Sequence, residues 1–126
     1  MSAIEKIDDV LGALDKAIPS IIGAIVASGD GFVVTDTLNG TGAEEVAAMV
    51  ATTTSVSERM SSTLSAGSVN ETSIRGDERS IFLYRASDEA ILAVIAEGDA
   101  NLGMIHIRAR KAAQAIASHL TSTTPA

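Results

Sequence analysis

Few residues in this chain have the type and spacing that chemistry requires. His106 and His119 are its only histidines, and they lie thirteen residues apart. On one helix that separation is too long for both to bind a single metal ion. A lone histidine also lacks the partners of a catalytic triad or a zinc site, so His106 reads as an ordinary flank of a buried stripe. The acid pairs Asp8-Asp9 and Glu44-Glu45 fall in the first halves of helices, where the helix dipole favours them without any acid–base role. Arg75, Arg79 and Arg85 cluster in the middle strands, and solvated strand ends account for them better than an anion-binding patch. Gly29-Asp30-Gly31 has the Gly-x-Gly of a phosphate loop. Phosphate loops open directly into a helix, whereas this one opens into an apolar strand. G-x-x-x-x-G-K-[ST], Gly-x-Ser-x-Gly and H-E-x-x-H are missing, and there is no cysteine nucleophile. These residues predict no catalytic group, no metal ligand set and no cofactor site.

The composition narrows the remaining classes. With 126 residues, 46% of them hydrophobic, the chain is long enough for one domain with a proper core. We expect that domain over residues 1–120 and a disordered tail over 121–126. A net charge of −7 repels phosphate backbones, and only Phe32, Phe82 and Tyr84 could stack on bases, which disfavours nucleic acid as a partner. No apolar run approaches the ~20 residues of a membrane span. Ser2 to Lys6 enters an acidic amphipathic segment rather than a signal peptide. The expected location is the cytoplasm.

The elements that would position any site follow from periodicity. Ser2 and Glu5 fit a capping box, and Ile4, Ile7, Leu11, Leu14 and Ile18 then recur at helical steps until Pro19. Ile21–Ala27 and Phe32-Val33-Val34 read as a hairpin around Ser28–Gly31. Thr41 can cap a long helix to Leu64, with Ala43, Val46, Ala47, Val50 and Leu64 as its apolar stripe and Met49, Val56 and Met60 on its shoulder. The combined arc is about 180°, against the ~100° that one packed face requires. Such a helix should touch two bodies. Thr52-Thr53-Thr54-Ser55 are poor helix formers in its middle, so outside contacts should hold it. Glu71–Arg75 alternates like an edge strand, and Gly76-Asp77 turns into the run Ile81–Tyr84. Arg85–Glu89 breaks that run before Ala90–Ala96, which is apolar throughout and so should be covered on both faces. Glu97–Asn101 then caps a last helix whose inner face is Leu102, Ile105, Ala109, Ala112, Ala113, Ile116 and Leu120. The order is α-β-β-α-β-β-β-α, an α+β domain with a five-stranded antiparallel sheet and helices on both faces.

Four of these pieces, in order, resemble the Roadblock/LC7 family, whose fold is profilin-like. They are the helix ending at Ile18-Pro19, the strand Ile22-Gly23-Ala24 with Ser28-x-Asp30-Gly31, the strand Ile91–Ala96, and Asp99-Ala100-Asn101-Leu102-Gly103 before an alanine-rich helix. The resemblance covers about residues 3–120. It implies a non-catalytic homodimer in which the long helix and the neighbouring middle strand of each subunit pair to give one ten-stranded sheet. The seam would then hold Met49, Thr53, Val56, Met60, Thr72 and Ile74. It further implies, through the prokaryotic Mgl-type branch, a Ras-like small GTPase as partner, with GTPase-activating or scaffolding roles. Glu45, Thr52, Ser55 and Arg59 on the more polar side of the long helix are the expected contacts for that partner. A small-molecule sensor of PAS or profilin-like architecture and an adaptor of the dynein light chain kind are the alternatives.

Overall fold

The computed structural model describes residues 1–39 and 42–121. Its elements are α1 (Ala3–Ala17), β1 (Ile21–Ser28), β2 (Val33–Asp36), α2 (Ala43–Thr63), β3 (Glu71–Arg75), β4 (Arg79–Ser87), β5 (Ala90–Glu97) and α3 (Leu102–Thr121). The expected order is therefore the observed one. Thr41, expected as a cap, and residues 122–126 of the expected tail lie outside the described residues. Thr121 itself belongs to α3.

α1 starts as its first residues dictate. The Ser2 side chain accepts from the Glu5 N–H at 3.2 Å, satisfying one of the amides that a helix start leaves open. Ile7, Leu11, Leu14 and Ile18 are buried, but Ile4 is 55% exposed. It shares their stripe in the first turn, before that stripe becomes covered. The α1 N-terminal half also reaches the sheet edge, where Thr35 Oγ1 donates to Asp8 Oδ1 at 3.0 Å.

The strands form one antiparallel sheet in the order β2-β1-β5-β4-β3. Alternation along each strand sorts the core into two layers. Ala24, Val26, Phe82, Tyr84, Leu92, Val94 and Ala96 pack with the inner faces of α1 and α3. Ile25, Ala27, Leu83, Ile91 and Ala93 face the other way, against Ala47 and Val50 of α2. β1 and β5 are thus covered on both sides, which is why their sequences lack a polar face.

Two element boundaries and one helix face differ instructively from the sequence expectation. β2 begins at Val33, and Phe32 lies outside it, 71% exposed. The Phe32 N–H is taken by Ser28 Oγ at 3.0 Å, which closes the turn instead of extending the ladder. β4 runs on through Arg85-Ala86-Ser87, leaving only Asp88-Glu89 as the turn, because Arg85 and Ser87 still pair with Ile91 and Ala90 across an irregularity. The α2 stripe is rotated toward small residues. Ala51, Thr54 and Ser61 join Ala47 and Val50 in the buried set. Leu64, at the C-cap, is 73% exposed.

Two glycines fix where α2 lies. Gly42 has φ +72° at its N-cap, a conformation that side chains other than glycine enter reluctantly. Gly31, at φ +90°, brings the β1–β2 turn against α2, where an added Cβ would stand 3.3 Å from the Ala48 Cα.

Candidate protein-binding face

The position of α2 leaves part of the sheet bare. α2 packs on β1, β2 and β5, whereas α1 and α3 share the opposite layer, with α3 over β4 and β5. On the α2 side, β3 and β4 therefore lie beside the helix and not beneath it. The register places Thr72 opposite Leu83 and Ile74 opposite Ile81, so these four side chains share the α2 face. Leu83 is buried against the α2 layer, and Ile74 and Ile81 stand at its open margin. The result is a trough of about 460 Å³ between helix and sheet edge, with Met49, Thr53, Ile74, Ile81 and Leu83 among its walls.

The structure brings the expected seam residues to this one side of the molecule. Met49 is 54%, Val56 51%, Met60 59% and Ile74 44% exposed, a group of large apolar side chains in water with no cover of their own. Met49, Thr53 and Ile74 meet in the trough, with Thr72 half-buried on the same face of β3. Val56 and Met60 lie further along the helix in a second hollow with Thr63 and Leu64, and Arg59 joins them there. The other expected partner contacts, Glu45, Thr52 and Ser55, are exposed on the outward side of α2. Thr52 Oγ1 donates to its own helix at the Ala48 carbonyl, 2.9 Å away.

Two polar groupings were not legible as such in the sequence. Arg85 forms an ion pair with Glu58 of α2, so one of the three clustered arginines ties helix to sheet. On the opposite layer, the Tyr84 hydroxyl and His106 Nδ1 are 2.8 Å apart, and His106 stands edge-on to Phe82 and Tyr84. Glu71 Oε2 lies 3.9 Å from the same ring nitrogen, and Arg110 holds Glu71 with both Nε and Nη2, the latter at 3.0 Å. This network fastens the edge strand β3 to α3. The clue was Tyr84 itself, since a tyrosine inside an apolar run needs a partner for its hydroxyl. The Arg110 hydrogen bond holds the Glu71 carboxyl below its ordinary range, partly opposed by burial.

Tyr84 carries a pH consequence. Burial, reinforced by the Glu71 charge, pushes its hydroxyl well above the ordinary value of 10.0. The unfolded chain loses that proton first, so the folded state binds more protons above pH 10 and stability falls as pH rises. Below pH 10 the contribution is constant. Chemical denaturation from pH 8 to 11 should show the wild type losing stability above about pH 10, with Tyr84→Phe much flatter. Tyr84 is the only tyrosine, so phenolate absorbance reports its ionisation directly. Ionisation at the ordinary pH in the folded protein would contradict this placement.

A single antiparallel sheet with two helices on one face and one long helix on the other defines a class of small α+β domains. The chain belongs to the Roadblock/LC7 domain family, whose model matches residues 6–96. Among its relatives is the protein MJ1340 of Methanocaldococcus jannaschii, 34% identical over 111 residues, which are 87% of this chain and 96% of that one. The gliding protein MglB of Thermus thermophilus has a similar structure, with a TM-score of 0.87 at 17% identity over 98% of this chain and 94% of that chain. Myxococcus xanthus MglB gives 0.89 at 15% identity, over 98% and 93% respectively. Among the described residues, no helix is long and apolar enough to cross a membrane.

Proposed function

We propose that this chain acts as a non-catalytic homodimer that regulates or scaffolds a Ras-like small GTPase in the cytoplasm. One observation carries the reading. The α2–β3 margin exposes Met49, Val56, Met60 and Ile74 together, and large exposed apolar patches mark interaction sites. A second copy covering that margin would let β3 continue the sheet. Membership of the Roadblock/LC7 family supports the GTPase as partner class, as does the likeness to MglB and MglC structures. One of the MglB structures has a tetrameric arrangement, which favours self-association here. The GTPase then docks across the paired α2 helices, at Glu45, Thr52 and Ser55 on their outward sides and at Arg59 beside the hollow of Val56 and Met60. A mixed composition of this kind suits an interface that forms and dissolves. A small-molecule sensor would need several polar groups converging on its ligand, and the trough walls are mainly aliphatic.

The test uses a purified candidate GTPase loaded with GDP or a non-hydrolysable GTP analogue. Affinity should differ between the two states, because the switch loops are what nucleotide changes in a GTPase. Glu45→Arg and Arg59→Glu should each weaken binding by about tenfold, the scale of a rim charge reversal. Equal affinity in both nucleotide states, or full binding by both variants, would overturn the reading.

A further inference from the structure

α3 carries a second exposed surface, on the layer opposite α2. From Leu102 to Thr121 it contains Arg108, Arg110 and Lys111 and no acidic residue, in a chain of net charge −7. Arg110 is engaged by Glu71. Arg108 and Lys111 make no ion pair among the described residues. Met104 is 46% and Ile107 58% exposed, and they share one side of the helix with those two cations. At 100° per residue, Met104, Ile107, Arg108 and Lys111 fall within an arc of about 100°, turned away from buried Ile105, Ala109, Ala112 and Ile116. Met104, Ile107, Lys111, Gln114 and Ser118 are all exposed and follow one another at alternating steps of three and four. That is the seam one helix presents to another.

We propose that this stripe docks an acidic amphipathic helix of a partner protein. Such a helix buries Met104 and Ile107 under its apolar residues and sets its carboxylates against Arg108 and Lys111. Charge separates this occupant from the alternatives. A second copy offers α1 as its neighbouring outer surface, where Lys6 and Lys16 interrupt the exposed acids Glu5, Asp8 and Asp9 and Asp8 is already engaged by Thr35, so it presents mixed charge and not an acidic stripe. An anionic membrane would meet acidic turns at both ends of the sheet. Asp30, Asp88 and Glu89 gather around one hollow, and Asp77, Glu78, Glu97 and Asp99 flank the other end. Because the stripe and the α2 margin lie on opposite layers, both can be occupied at once, and the domain becomes an adaptor between two partners. This inference does not depend on the GTPase reading.

The experiment titrates the full chain into a fluorescent synthetic helix with leucines at three- and four-residue spacing and glutamates flanking them. The expected result is saturable binding that weakens at least about tenfold when the glutamates are replaced by lysines. A similar loss is expected for the Arg108→Glu/Lys111→Glu protein, and high salt should weaken binding by screening exposed charge. Met104→Ser/Ile107→Ser should also lose affinity, while Glu45→Arg, on the other layer, keeps it. All four α3 side chains are exposed, so circular dichroism should show the fold intact in each variant. Equal binding of the acidic and basic helices, or unchanged affinity in both double variants, would overturn the proposal. So would capture by phosphatidylserine vesicles but not by the acidic helix.

Discussion

Met60→Glu is expected to convert a dimer into folded monomers. In the isolated subunit Met60 is 59% exposed, so a glutamate there is solvated and the fold has no reason to change. In the proposed dimer the same side chain faces the partner's apolar margin, and its charge finds no counterpart. Burying an unpaired charge costs several kcal/mol, and two-fold symmetry imposes that cost on both copies. Association should therefore weaken by roughly a thousandfold or more. Light scattering should report a mass falling from about twice the subunit's 12.9 kDa to the subunit's own, with circular dichroism unchanged. Met49→Glu, at 54% exposure in the trough itself, should behave alike. An intact dimer in both variants would sink the proposed seam.

The second large effect is on stability. Phe82 is 1% exposed, lies in the layer under α1 and α3, and meets the His106 ring edge-on at a centroid distance of 5.4 Å. Phe82→Ala removes most of a buried side chain and leaves a cavity that close-packed neighbours fill only in part. The expected cost is about 3–5 kcal/mol, a fall in Tm on the order of 10–20 °C for a domain of this size. The other phenylalanine supplies the control. Phe32 is 71% exposed in the β1–β2 turn, and Phe32→Ala should stay within about 0.5 kcal/mol. Thermal unfolding of the pair side by side checks both values, and near-equal Tm shifts would contradict the register of β4.

The sequence was most legible where pattern and packing agree. The unbroken apolar runs of β1 and β5 predicted two covered faces, and Ile25 and Val26 are each fully buried on opposite sides. The alternation of Glu71–Arg75 predicted an edge strand, and β3 is one. On α2, Met49, Val56 and Met60 read as apolar surface beyond one packed face, and all three are exposed. What pattern did not convey was close approach. Thr54 and Ser61 are small enough to be buried where α2 meets the rest of the domain, while Leu64 on the expected stripe ends the helix in solvent. Hydropathy weights a leucine over a serine and knows nothing of where a helix stops. The Glu71–Tyr84–His106–Arg110 network was equally hidden, because its members come from three elements and meet only after β3, β4 and α3 are placed. His106 does flank the buried face of α3, as its position in the sequence suggested, and its neighbours add the hydrogen bond that the sequence alone could not pair.

Amide hydrogen exchange along β3 tests the proposed dimer most directly. In a lone subunit β3 is the outer strand, hydrogen-bonded on one side to β4, and its alternate amides point into solvent. If two copies join edge to edge across the α2 margin, those outward amides gain partners. Residue-resolved exchange at concentrations well above dimer dissociation should then show protection along the whole of Glu71–Arg75, at least about a hundredfold over the open rate at the outward positions. Met60→Glu should remove that protection there and leave the amides facing β4 slow. Outward amides of β3 that exchange at the open rate in the wild type at every concentration would contradict the account.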